Sequence, residues 1–158
     1  MFKYQSLRDA NSSIRLLCLQ QSADHTTVLR GTLIDNVPMD LLNRDLVSGY
    51  TALSYVWGDP SRTGEILLDN QIFYVGMILR DDCQPKFRVG ITESLQNALR
   101  DMRDPTRKLF VWADALCIDQ ENIAERNAQV SMMSRIYSAA THTVIYLGAL
   151  TEATAIAL

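Results

Sequence analysis

An indole and a carboxylate two residues apart, Trp57 and Asp59 in "YTALSYVWGDP" (50–60), are the first residues whose types and spacing suggest chemistry. A second group stands in "DALCIDQ" (114–120), with Asp114, Cys117, Asp119 and Gln120, and Arg126 follows six residues on. A flat aromatic beside carboxylates and a carboxamide can stack on a base or sugar ring and bind its hydroxyls. Gly58 would let the chain turn beneath such a ligand, and Pro60 stops the strand. The same residues also serve as plain architecture, with Trp57 and Trp112 as core, Gly58 as a turn and Asp119 as a helix cap. Spacing alone leaves both readings open.

Arg126 sharpens the question. On a helical wheel of about 100° per residue, Ile123, Val130, Met133, Tyr137 and Ala140 share one face, and Arg126 falls within it. A guanidinium there must reach the rim or pair with a carboxylate, for which Asp114, Asp119 and Glu125 are the local choices. It would then either lock helix to strand or bind a substrate. Cys117 and His142 could form a thiol nucleophile and its base, but Cys117 sits in an apolar run, where free cysteine is usually buried filler. The seven glycines are dispersed, which excludes phosphate-cradling loops of the P-loop and Rossmann kinds.

The totals narrow the classes. A chain of 158 residues, 47% hydrophobic and 21% charged, fits one ordinary globular domain. Its net charge of −3 and scattered Lys and Arg argue against nucleic acid as a partner. Three widely spaced cysteines and two histidines suit reduced thiols in a cytosolic or nuclear protein and give no zinc-ligand spacing, so no metal is expected. No run approaches the ~20 apolar residues of a membrane span, and "MFKYQSLRDANSS" lacks a signal-peptide core.

The elements that would position these residues follow from periodicity. "IRLLCLQ" (14–20) and "TVLRGTLIDNV" (27–37) read as strands of an N-terminal hairpin across "QSADHT". Tyr50 to Val56 reads as a central strand, and "EILLDNQIFYV" (65–75) as a hairpin turning at Asp69-Asn70. "GMILRDDCQPKFRVG" (76–90) reads as an exposed excursion. Thr92 caps a helix over "ESLQNALRDMR", with Leu95, Ala98, Leu99 and Met102 as its inward stripe. "KLFVWADALCID" (108–119) opens as a strand covered on both faces. Asn122 and Glu125 make a capping-box pattern for one helix over 121–140, and "HTVIYLG" (142–148) reads as another buried strand. Alternating strands and helices predict an α/β fold with a mainly parallel sheet, helical crossovers, and N-terminal and inserted β-hairpins.

Several blocks together resemble one family, the fungal heterokaryon incompatibility (HET) domain: "YTALSYVWGDP", "ITESLQNALRDMR", "VWADALCIDQENIAERNAQVSMMSRIY" and the closing "VIYLG". "IRLLCLQ" looks like the strand with which that domain usually begins. Ala113 and Asp119 depart from the pattern, which more often has isoleucine and asparagine there. The resemblance implies a single domain over 1–158 with its core at about 14–148, an exposed insertion at 76–90, and the start of a further helix at 149–158. It also implies a cytoplasmic allorecognition domain that triggers programmed cell death through self-association or contacts with other death-signalling proteins. Such domains usually stand at the front of longer proteins.

HET domains are remotely similar to TIR domains, which implies a TIR/flavodoxin-like sheet. "ALSYVWGD" would match the first TIR strand and "FVWADALCID" the second. Some TIR domains cleave NAD with a glutamate in a helix after the third strand, and Glu152 is the one acid in "ALTEATAIAL" (149–158). The alternative is therefore an NAD-cleaving effector with NAD as substrate and no other cofactor. Its catalytic candidates are Asp59, Asp114 and Glu152; its ligand-binding candidates are Trp57, Gly58, Asp59, Asp114, Asp119, Gln120 and Arg126. A nucleotide-sized pocket lined by Trp57, Asp59, Asp114 and Arg126 would favour the enzyme, and the same side chains locked together without a cavity would favour the adaptor.

Overall fold

The apolar hairpin at the N-terminus forms as its alternation requires. Strand β1 (Ser13–Leu19) pairs antiparallel with β2 (Leu29–Pro38), and most residues of both are buried. The computed structural model describes residues 1–42, 49–69, 72–73 and 87–149. A bulge interrupts this pair: Ile14 faces Val37 while Leu16 faces Ile34, which leaves one extra residue on β2. Asn36 absorbs it with a positive φ of 58°, a conformation that asparagine tolerates better than most residues. The bulge lies opposite Arg15, a charge buried in the middle of an apolar strand.

The remaining elements are α1 (Met39–Leu42), β3 (Thr51–Tyr55), β4 (Gly64–Leu68), β5 (Ile72–Phe73), β6 (Phe87–Ile91), α2 (Glu93–Met102), β7 (Leu109–Trp112), α3 (Asp114–Cys117), α4 (Ile123–Ser131), α5 (Met133–Ala139) and β8 (His142–Tyr146). One sheet runs β6-β4-β2-β1-β7-β3-β8, with β5 also beside β2. The fold is α/β as expected, but the sheet is mixed rather than mainly parallel, because β1 runs antiparallel to both neighbours and β6 antiparallel to β4. Parallel pairing joins β7, β3 and β8, in the spatial order second, first, third, and also joins β4 and β5 to β2. The order second-first-third is that of flavodoxin-like sheets, whose crevice opens between the first and third strands.

Three readings of the strands change. β4 and β5 do not form a hairpin with each other: both add parallel to β2, along Leu29–Gly31 and then Ile34–Asp35. The antiparallel partner of β4 is β6, so residues 87–90 belong to the sheet and not to an exposed excursion; residues 76–86 lie outside the described residues. β8 is not buried: among the described residues it is a sheet edge, with His142, Thr143 and Ile145 exposed.

Helix α2 matches its pattern. Thr92 Oγ1 accepts from Leu95 N at 3.3 Å, and Leu95, Ala98 and Leu99 are buried. The region 121–140 forms two helices meeting at Met132, and the inward stripe of α4 and α5 is Glu125, Gln129, Met132 and Ile136. That spacing is helical, but two of its four residues are polar. The face carrying Ile123, Arg126 and Val130 points outward instead. Polar residues win the interior because partners wait there: Glu125 meets Arg15, and Gln129 Nε2 donates to the carbonyls of Ala10 and Ser13 at 2.8 and 2.9 Å. α5 is fastened to the sheet by Tyr50, which donates to the Ile136 carbonyl, and by the Tyr137 ring edge-to-face on Trp112 at 5.6 Å.

Candidate functional site

The carboxyl ends of β3, β7 and β8 point the same way, since the three strands are parallel. Past β3 the chain emerges at Val56 and Trp57, turns at Gly58 with φ +64°, and enters an Asx turn at Asp59. Past β7 it begins the short helix α3 at Asp114. Trp57 and Asp114 meet across that gap, Trp57 Nε1 donating to Asp114 Oδ2 at 3.3 Å. Trp57 is 45% exposed, so the core reading is overturned for Trp57, while Trp112 is fully buried core. Burial of Asp114 raises its carboxyl above the ordinary range, opposed by the Ala115 N–H and by Trp57. Gln120 joins the pair indirectly, its Nε2 donating to the Asp114 carbonyl at 2.9 Å.

The other expected residues are placed elsewhere. Asp59 Oδ1 accepts from the Ser61 N–H at 2.8 Å and its hydroxyl at 2.6 Å, and these bonds lower the Asp59 carboxyl. Asp119 Oδ1 accepts from Glu121 N at 3.1 Å, and the Asp119 carbonyl accepts from Asn122 N, so Asp119 shapes the turn into α4. Arg126 is exposed and makes one long contact, Nη1 to the Gln120 carbonyl at 3.5 Å; it forms no ion pair with Asp114, Asp119 or Glu125. Asn122 caps α4 through Glu125 N at 3.1 Å, but the Glu125 side chain does not return to complete the box. Glu152 lies outside the described residues.

An open cleft of about 350 Å³ sits between the carboxyl ends of β3 and β8, against the first turn of α2. Asp59, Ser94, Asn97 and Tyr146 line it, together with Ser61, Thr63 and Glu93. Trp57, Asp114 and Arg126 do not. The position is the crevice of a second-first-third sheet, yet among the described residues its charged lining is acidic only.

Cys117 and His142 do not form a catalytic pair. Cys117 follows the carboxyl end of β7, whereas His142 starts β8 opposite Thr51, at the other end of the parallel strands. Burial pushes the Cys117 thiol up to about 12. In the native protein, alkylation at Cys117, mapped by peptide mass spectrometry, should run on the order of 100-fold or more slower than in denaturant. Equal rates would contradict its burial.

The constellation that sequence reading missed is centred on Arg15. Its Nε donates to Asp35 Oδ1 at 2.7 Å; Nη1 and Nη2 grip the Glu125 carboxylate, Nη2 to Oε2 at 2.9 Å. Nη1 also reaches the Cys117 carbonyl at 3.2 Å and Nη2 the Gln5 carbonyl at 2.6 Å. The Tyr4 ring lies 5.0 Å from the guanidinium, and its hydroxyl donates to the Leu116 carbonyl at 2.9 Å. Single charges inside "IRLLCL" and "TLIDNV" were the available signal.

The fold is thus an α/β domain whose strand-end acids mostly shape turns, and no metal-binding cluster exists among its described residues. The chain belongs to the heterokaryon incompatibility (HET) family, whose model, described as heterokaryon incompatibility protein, matches residues 50–157. It is similar to heterokaryon incompatibility protein 6, OR allele, of Neurospora crassa, with 34% identity over 155 residues that cover 94% of this chain and 21% of that relative. The chain spans about a fifth of the length of this curated relative. No solved structure matches it. Among the described residues no helix is long and apolar enough to cross a membrane.

Proposed function

We propose that the chain is an incompatibility module of fungal allorecognition that acts by protein contacts, self-association among them, and whose engagement triggers cell death. The observation that carries this reading is the outward face of α4. Ile123 and Val130, 63% and 54% exposed, stand two turns apart on it with Arg126 between them. The edge strand β8 and the residue after it add Ile145 and Leu147, 68% and 87% exposed. Large apolar side chains with an arginine among them are the composition of protein interfaces. The kinship with an incompatibility protein supports the same reading.

The cleft gives NAD cleavage the weaker footing. A pyrophosphate calls for basic side chains, and the charged side chains of the described lining, Asp59 and Glu93, are acidic and would repel it. The Trp57–Asp114 pair stands outside that lining.

Light scattering across a concentration series tests self-association. The wild-type chain should rise above its 17.8 kDa monomer mass, and the double variant Ile123→Glu/Val130→Glu should stay at it. An identical series for both proteins would remove α4 from the contact surface.

A further inference from the structure

We propose that Arg15, Asp35 and Glu125 form a proton-sensitive clasp, which holds the N-terminal arm and the turn at 117–119 against the sheet and tightens when Asp35 takes up one proton in mildly acidic conditions. The geometry starts from an imbalance. One guanidinium faces two carboxylates, and all three are buried. The cluster therefore holds one negative charge too many in a medium that solvates charge poorly.

The two carboxylates are not equivalent. Glu125 receives both terminal nitrogens of Arg15 and also the Asp119 N–H at 2.9 Å. Asp35 receives one N–H on Oδ1, while its buried Oδ2 has no partner. A proton from solvent placed on Oδ2 breaks no existing hydrogen bond and removes the surplus charge. Burial, opposed by Arg15 and reinforced by Glu125, pushes the Asp35 carboxyl up to about 6.

The charges that act on Asp35 are Arg15 from β1 and Glu125 from α4. Tyr4 of the arm and Cys117 of α3 also approach the guanidinium, and burial keeps both neutral well above pH 7. The other ionisable groups on elements packed against β2 are the buried thiol Cys18 of β1, and Asp40 of α1, Glu65 of β4, and Glu93, Arg100 and Asp101 of α2, these five exposed or half-buried. None of them enters the cluster.

Three segments hang on it. The arm is held through the Gln5 carbonyl and Tyr4, the end of α3 through the Cys117 carbonyl, and the next turn through Asp119 N. That turn carries Gln120, which reaches back to Asp114 beneath Trp57. Proton uptake at Asp35 thus acts on the support of the strand-end surface from the opposite side of the turn.

The sign follows from linkage. The folded-state carboxyl titrates higher than the unfolded one, so the native state binds more protons between about 4 and about 6, and this group's contribution makes stability fall as pH rises through that window. Asp35→Asn keeps an oxygen for Arg15 Nε and removes the titration. Wild-type melting temperature should gain roughly 2–3 °C relative to Asp35→Asn between about pH 7.5 and about pH 5.5. Exchange of the Asp119 amide, corrected for intrinsic rate, should slow over the same range in the wild type alone. Carbon NMR of the wild-type Asp35 carboxyl, which needs no variant to fold, should show a midpoint near 6. A midpoint below about 4, the range of solvated aspartate, would overturn the proposal, as would an unchanged pH slope in a folded Asp35→Asn.

Discussion

Replacing Arg15 by methionine should destabilise the folded chain by roughly 3–5 kcal/mol, the largest effect expected of any charge substitution among the described residues. The methionine fills most of the arginine's volume, so the loss is electrostatic and not a cavity. Asp35 and Glu125 would remain buried without a cation, and the carbonyls of Gln5 and Cys117 would lose their donor. Unpaired carboxylates resist ionisation, so the deficit should be greater at alkaline pH and shrink as pH falls and they protonate. Urea denaturation of Arg15→Met beside Arg126→Ala measures it. Arg126, exposed and bound only to the Gln120 carbonyl, should change stability by less than about 0.5 kcal/mol. Equal losses for the two arginines would contradict the buried clasp.

The two tryptophans should separate just as widely. Trp112→Ala removes a fully buried indole packed against Tyr137, at a cost of about 3–5 kcal/mol. Trp57→Ala removes a half-exposed ring with one hydrogen bond to Asp114, and should cost under about 1 kcal/mol. Fluorescence checks the same difference without a stability assay. Acrylamide should quench Trp57, measured in Trp112→Phe, far more than Trp112, measured in Trp57→Phe. A shielded Trp57 would return it to the core.

Much of the fold was legible because apolar periodicity carries it. β1, β2, β3, β7 and α2 stand where alternation and the Leu95-Ala98-Leu99 stripe place them. The α4 wheel failed for a definite physical reason. Hydrophobic spacing assumes that apolar residues go inward, but Glu125 and Gln129 had buried partners from β1 and the arm, and they displaced Ile123 and Val130 outward. Such partners are remote in sequence, and no local pattern encodes them. The β4–β5 hairpin failed similarly: Asp69-Asn70 favours a turn, but pairing with β2 decided where both strands lie. Of the candidate site, the meeting of strand ends at Trp57 and Asp114 was legible from the α/β pattern. The turn-shaping roles of Asp59 and Asp119 depend on Ser61 and Glu121 backbone geometry, which residue type alone leaves undecided.

Growth arrest in fungal cells expressing this chain is the most direct test of contact-driven signalling. Three proteins suffice, once each is shown to fold: wild type, Ile123→Glu/Val130→Glu, and Trp57→Ala/Asp114→Asn. The account predicts arrest with the wild type, arrest with the strand-end variant, and none with the α4 variant. Arrest that survives the α4 substitutions but disappears when Trp57 and Asp114 are changed would contradict it and move the activity to the strand-end site.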